Sequence, residues 1–312
     1  MQTAAGNSVV LTPAGAAAVV KDYITANNRA NAHWDQRLQN MHETGSAAVI
    51  DDAYFGIGAA VGLPHAPAFG TTGLKVYLTR QTRYPAVFVA YYRPKTVGKP
   101  ASKYTNVALF QRTSARDRWR VSDEPHIPAG FEVPRFEVDA AGYIPAWDPA
   151  SMSVPAAQLN RWWTTAQIAG AAGRTPAKAW ARTSLLKSYA SDTSSLNTAT
   201  QRLVAQTFTF APTNFPPVCL ASRRGALCFL STTFTATATV PAALRARGYR
   251  LWILNSSDQY ASGGLPVGRD YLGYTVTSQR EAAIDVPRKH SPRGLRLDAE
   301  INGRLHGVGT HG

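Results

Sequence analysis

Long hydrophobic runs are missing from this chain. No stretch of about 18 apolar residues occurs, so no segment spans a bilayer as a helix. Cysteine is scarce, 2 in 312 residues, and no second Cys or His pair stands at ligand spacing, which argues against zinc. There is no Gly-x-Ser-x-Gly elbow and no Gly-Lys-Ser/Thr phosphate loop. Gly56-Ile57-Gly58-Ala59-Ala60-Val61-Gly62 has the wrong spacing for a dinucleotide fingerprint, and no strand precedes it, so it reads as a helix end. Ser184-Leu185-Leu186-Lys187 fits the Ser-x-x-Lys pattern of penicillin-binding enzymes, but its partners are lacking. No Lys-Thr-Gly follows, and Ser256-Ser257-Asp258 lacks the Asn. No catalytic residue, metal site or cofactor is therefore expected.

Acidic residues are also few, 19 against 33 Lys and Arg, for a net charge of +14. The excess is uneven. Residues 1–155 hold 15 basic and 12 acidic side chains, whereas residues 156–312 hold 18 and 7. Such a field favours anionic partners, or simply keeps the protein in solution. The basic residues are scattered, and no helix or strand shows a continuous basic stripe, which argues against nucleic acid. The expected partner is a protein or an anionic polymer or lipid of the cell envelope. With 45% hydrophobic and 17% charged residues the composition is globular, and the length suits two domains. The start, Met1-Gln2-Thr3-Ala4-Ala5-Gly6, lacks the charged and apolar regions of a signal peptide. Either the protein is cytosolic, or an export signal or anchor has been removed ahead of it.

Cys219 and Cys228 flank a Ser222-Arg223-Arg224-Gly225 turn between apolar runs, which reads as a β-hairpin. With Arg223 and Arg224 as a two-residue loop, the cysteines face each other at a non-hydrogen-bonded site and a disulfide is feasible. A disulfide would need an oxidising compartment. A three-residue loop with Gly225 left-handed would shift the register by one and leave two separate thiols.

Thr12 is a good helix cap and Pro13 a good first residue. Ala16, Val19, Val20, Tyr23, Ile24 and Asn27 then repeat at helical spacing. Further helix is predicted over Trp34–His42 and Ala47–Ala60. Strands are predicted at Leu74–Thr79, Ala86–Arg93, Val107–Arg112 and Arg118–Ser122. A Pro- and Gly-rich stretch from Pro125 to Pro155 follows. The second half repeats this order. Helix is predicted over Gln158–Ala172 and Pro176–Gln201, then strands over Leu203–Phe210, Val218–Ala221, Ala226–Val240, Tyr249–Leu254 and Asp270–Val286. A last hairpin is expected to turn at Asn302-Gly303. The expected fold is α+β. Two tandem domains, residues 1–152 and 153–312, would each pack N-terminal helices on a curved, mostly antiparallel sheet. This is the layout of nuclear-transport-factor-2-like (NTF2-like, cystatin-like) domains.

Three segments carry a family resemblance. They are Leu11-Thr12-Pro13-Ala14 with Asn27-Asn28-Arg29-Ala30-Asn31, Val107-Ala108-Leu109-Phe110-Gln111-Arg112 leading to Trp119-Arg120-Val121, and Gly273-Tyr274-Thr275-Val276 through Ile284-Asp285-Val286-Pro287. Together they resemble uncharacterised actinobacterial lipoproteins and membrane-anchored extracytoplasmic proteins. The resemblance implies an exported protein and transfers no catalytic residue.

The remaining candidates are weak. Asp51-Asp52 and Asp123-Glu124 are acidic pairs, but adjacent residues in a helix or strand point apart, and both read as solvated or capping groups. His306 and His311 lie in a Gly-rich tail that is expected to be disordered. His126, Tyr91 and Tyr92 could supply a buried acid or base if a pocket opens beside the second strand. Arg161, Trp162 and Trp163 form a possible interface, or pack in the core. The expected function is non-catalytic binding or assembly in the cell envelope. A scaffold part of a secretion or conjugation machine stands as one alternative, and an NTF2-like pocket enzyme or small-molecule binder as the other.

Overall fold

The Thr12 hydroxyl accepts the backbone N–H of Gly15 at 3.1 Å, and Pro13 occupies the first turn, where its missing N–H costs nothing. The computed structural model describes residues 9–174, 180–181 and 204–311. The helix predicted over Pro176–Gln201 and the Ser184–Lys187 motif lie outside the described residues, apart from Trp180 and Ala181. Helix α1 spans Pro13–Asn31, α2 Gln36–Asn40 and α3 Gly45–Val61. Gly62 closes α3 in the left-handed region at φ 67°. Strands β1 (Phe69–Leu78), β2 (Ala86–Thr96), β3 (Thr105–Arg112), β4 (Arg120–Asp123) and β5 (His126–Ile127) follow. The second half opens with α4 (Ala156–Ala171) and continues with β6 (Ala205–Pro212), β7 (Val218–Ser222) and β8 (Gly225–Thr239). A short β9 (Leu251–Trp252) pairs with β10 (Asp270–Tyr271), and the long β11 (Gly273–Pro287) and β12 (Arg296–Thr310) end the fold.

The expectation of two separate NTF2-like helix-on-sheet units is overturned. Ten strands form one sheet in the order β1-β2-β3-β5-β12-β11-β8-β6, with β4 on β3 and β7 on β8. The two halves join where His126 of β5 pairs with Glu300 of β12. Hydrophobic alternation reports that a strand is buried and not which strand lies beside it, so a junction between distant segments left no periodic signal.

Three apolar clusters hold the sheet. Phe88, Ala90 and Tyr92 of β2 pack on Ala16, Val20 and Tyr23 of α1. Leu159, Trp163 and Ala166 of α4 pack on Leu230, Ala282 and Ile284. The alternate residues Val89 and Tyr91 of β2 join Leu109, Leu220, Phe229, Ala283 and Ala299 in a third cluster drawn from both halves. Phe131, Val133 and Phe136 of segment 128–148 cover it. Strand β2 is thus buried on both sides over residues 86–92, which is why that stretch reads as a continuous apolar run. Strand β11, buried over most of its length, instead carries Ser278-Gln279-Arg280-Glu281 among its buried residues. Each large side chain fully buried here contributes roughly 1.5–3 kcal/mol.

Other local expectations are also corrected. Asn302-Gly303 makes no turn, because β12 runs through it. Gly303 serves close approach instead, since a Cβ there would stand 2.3 Å from Cγ2 of Ile50 on α3. The Gly-rich tail is ordered strand up to Thr310 for a similar reason. A Cβ at Gly309 would strike the Tyr271 ring at 2.1 Å. His306 of β12 pairs with Thr277 of β11, and the His311 ring lies tilted against Tyr271. Helix in the Trp34–His42 stretch is confined to Gln36–Asn40, because Trp34 itself adopts φ 51° and lays its ring against Gly58. At the β7–β8 hairpin, Ser222 pairs with Gly225 and Cys219 with Cys228. Their Cα atoms are 4.1 Å apart and the sulfurs are bonded.

Gly303→Ala is expected to destabilise the fold by about 1–3 kcal/mol in urea unfolding. Ile50→Ala should absorb part of that loss, so the double variant loses less than the sum of the single changes. Full additivity would show that the two residues do not meet. Reduction of the Cys219–Cys228 bond, which closes a separation of 9 residues, is expected to cost about 2–3 kcal/mol.

Candidate functional site

Helix α1 carries a polar stripe. Tyr23, Asn27 and Asn31 recur every four residues, share one face, and are all buried. Asn27 Nδ2 donates to Tyr23 Oη at 3.2 Å, and Asn31 Nδ2 donates to the Asn27 carbonyl at 3.0 Å. The stripe meets a group of carboxyls. Tyr23 Oη stands 2.8 Å from Glu43 Oε1 and 3.1 Å from Glu124 Oε2. A phenol has one proton to give, so pairing with both acids requires one of them to bring its own. Tyr92 Oη and Asn106 Nδ2 both donate to Glu124 Oε1. Gln39 Nε2 bridges Glu43 and, at 2.9 Å, Asp51 Oδ2.

Local sequence explains these positions. Glu43 sits in the link between α2 and α3, where Thr44 N–H donates to the Val121 carbonyl at 2.8 Å and pins the link to β4. Asp51 lies on the stripe Ala47, Ile50, Tyr54 of α3, so it points inward with them. Glu281 enters from β11. Its Oε2 accepts the backbone N–H of Glu124 at 2.6 Å, a contact between residues 157 apart in the chain. Beside it, Gln279 Nε2 donates to Ser46 Oγ at 2.6 Å.

These groups line a cavity of about 350 Å³. Glu43, Asp51, Glu124, Glu281 and Asn106 supply polar lining, and Tyr54, Phe69, Tyr104 and His126 supply rings. No lining residue is Lys or Arg. Burial governs the protonation states. Burial, then Asp51, pushes Glu43 well above the ordinary carboxyl range. Burial, then Glu124, raises Asp51 to about 7. Burial, then Asp123, raises Glu281 well above its usual value. Burial also raises Glu124, and lifts Asp123 to about 6. It lowers His126 to about 4, so that ring is neutral near pH 7. The site can therefore hold protons, and can accept hydrogen bonds from a small guest.

Sequence-level candidates are redistributed. The reading of Asp51-Asp52 and Asp123-Glu124 as solvated or capping groups is overturned for Asp51, Asp123 and Glu124, whose carboxyls are taken into the interior. Asp51 points inward from α3, whereas Asp123 and Glu124 are both enclosed. Tyr92 reaches Glu124 and His126 lines the same cavity, whereas Tyr91 turns to the third cluster beside Tyr77 and Phe136. Trp163 is fully buried under α4, Trp162 is half-buried there, and Arg161 is exposed. Glu43, Asn106 and Glu281 were not singled out. Glu281 did leave a signal, as an acid set immediately before the apolar run Ala282-Ala283-Ile284.

A second recess, of about 410 Å³, lies at the β7–β8 hairpin and is lined by Arg135, Arg223, Arg224 and Arg293 with Glu132 and Asp285. Glu132 accepts from Arg224 at 3.0 and 3.1 Å and from Arg296 at 2.8 Å. Nearby, burial pushes Asp298 up to about 8, although Arg296 stands 2.6 Å away.

Residues 8–299 match the family described as a domain of unknown function, DUF8094. The chain belongs to this family. It is also 29% identical over 160 residues to an uncharacterised lipoprotein of Streptomyces coelicolor, covering 49% of this chain. The match spans about half of that relative's length, 47%. Both findings fit an uncharacterised actinobacterial lipoprotein family. The dehydratase domain from the terminal module of the rifamycin polyketide synthase aligns over 85% of this chain and 82% of its own. At 13% identity and a TM-score of 0.13 that likeness bears no weight. The lipoprotein relative and the disulfide both fit an extracytoplasmic, membrane-anchored location. Among the described residues no helix is long and apolar enough to cross a membrane.

The raised carboxyls make stability depend on pH. Asp51 and Asp298 titrate at 3.8 when unfolded but at about 7 and about 8 when folded. The folded state thus keeps protons that the unfolded chain has released. Their stabilising effect is complete below 3.8 and is lost as pH rises through the folded values. His126 acts in the opposite sense, but only below its ordinary 6.5. Between about pH 6.5 and 8 stability is expected to fall, by up to about 1.4 kcal/mol per pH unit for each proton held. Urea midpoints across this range check it. Asp51→Asn should flatten the slope, and a midpoint that rises with pH would contradict the protonation states.

Proposed function

We propose that this chain is the binding portion of an envelope-anchored extracytoplasmic protein and that it works by holding a ligand, without turnover. The observation that carries this reading is the cavity between α1, α3 and the sheet. Its lining is preformed. Tyr23, Tyr92, Asn106, Gln39 and a backbone N–H fix the carboxyls, and buried acceptors remain free to meet a guest. The lipoprotein relative and the disulfide support the location. The Arg-lined recess and the charge of the second half support a face turned toward an anionic envelope polymer or lipid.

A proton-transfer pocket is the second reading. Asp51, raised to about 7 beside Tyr54, favours it, because acid–base catalysis works best with a group poised near the operating pH.

Location is tested on whole cells. Full-length protein is expected in the membrane fraction, released by detergent, with Cys219 and Cys228 unreactive to a maleimide-polymer tag until a reductant is added. Recovery in the cytosol with both thiols reactive would overturn the location. Turnover is tested by recovering a captured ligand from purified protein. A chemically altered ligand would favour the second reading.

A further inference from the structure

Hydrogen-bond balance, charge and shape agree on what the cavity would take. Asn106 is only 6% exposed, its Nδ2 is committed to Glu124, and its Oδ1 has no donor within reach. Glu281 is 1% exposed, and its Oε1 makes no hydrogen bond of ordinary geometry, although the Ser46 hydroxyl stands near enough to favour the ionised carboxyl. Both residues line the cavity. An unsatisfied buried acceptor is costly, and a donor repairs it; Asn106 Oδ1 is such an acceptor as it stands, and Glu281 Oε1 becomes one when its carboxyl ionises. A carboxylate, phosphate or carbonyl guest would add to the surplus of acceptors.

Charge gives the same answer. The chain holds 33 Lys and Arg, yet none lines this cavity, whereas four carboxyl groups do. An anion would meet no lining cation and would be repelled by any carboxyl that ionises. A cation would be drawn in and would stabilise the ionised form of a carboxyl beside it. The rim suits a cation as well. Tyr104, 39% exposed, stacks on His126 with ring centroids 4.4 Å apart. Tyr54 and Phe69 add aromatic faces, and such faces attract cations. A bare metal ion fits poorly. About 350 Å³ is far more than an ion fills, and no group of three His, Cys, Asp or Glu among the described residues is arranged to ligate one.

We propose that this cavity binds a small organic cation bearing N–H donors, a protonated primary amine, whose ammonium group donates to Glu281 Oε1 and Asn106 Oδ1. This rests on the binding reading above and names its ligand class. A quaternary ammonium has the charge without the donors, so it should bind less well.

Calorimetry on the folded, disulfide-bonded protein tests it with n-butylamine, ethanolamine and 1,4-diaminobutane, set against 1-butanol, butyrate and tetramethylammonium. At least one amine is expected to saturate, with the three control compounds weaker by about tenfold or more. Glu281→Gln keeps an oxygen to accept the Glu124 N–H and should retain the fold, yet weaken the amine about tenfold. Glu137→Gln, at an exposed site remote from the cavity, should leave binding unchanged. Equal binding of an amine and 1-butanol, or of an amine and tetramethylammonium, would overturn the proposal. So would an amine affinity indifferent to Glu281→Gln. If butanol or butyrate saturates, depends on Glu281, and no amine binds, the ligand class falls and the binding reading stands. If no probe binds at about 10 mM, where even millimolar affinity would register, the ligand class again falls. Failure of the binding reading itself would show as a captured ligand recovered chemically altered.

Discussion

The backbone N–H of Glu124 gives its hydrogen bond to Glu281, and with that contact β11 delivers a carboxyl into an interior built by the first half of the chain. Water is largely excluded there. A carboxylate deprived of water and of a cation is costly by several kcal/mol, so the group keeps its proton or waits for a positive partner. The surrounding side chains follow from that constraint. Tyr23 and Tyr92 stay phenols, held well above their ordinary titration by burial and then by Glu124. Asn27, Asn106 and Gln39 donate to Tyr23, Glu124, Glu43 and Asp51.

The fold keeps this arrangement rigid by bringing backbones close. Gly303 lets α3 settle on β12, and Gly58 lets the Trp34 ring approach α3 closely. Helix α3 is thereby fixed across β4 and β12, in the middle of the sheet, with Asp51 and Tyr54 on its cavity side. The third apolar cluster then ties β2 and β3 to β7, β8, β11 and β12. The buried carboxyls stand at this seam, where the two halves share one sheet and no lining arginine or lysine can neutralise them.

What could be read in advance was local. The Thr12-Pro13 cap, the alternation of β2 and β8 and the Ser222–Gly225 hairpin depend on neighbours in sequence, and each is found near its expected place. The junction of β5 with β12 depends on residues 126 and 300, and no pattern of spacing records it. Asn302-Gly303 shows how a local rule fails. Its glycine answers to a helix packed across the strand, and the turn it normally signals never forms. The site was legible only in fragments. Tyr92 and His126 were named for the chemistry they could do beside a pocket. Glu43 and Glu281 were passed over, because their partners come from elements far away in the chain.

The account turns on carboxyl groups that stay protonated inside the folded protein at neutral pH. Infrared spectroscopy reads this directly through the carbonyl stretch of the protonated acid, which ionised carboxylates lack. Folded protein at pH 7 is expected to show this band, weakened in Glu281→Gln and lost on unfolding. A spectrum of ionised carboxylates alone, unchanged by that substitution, would contradict the account.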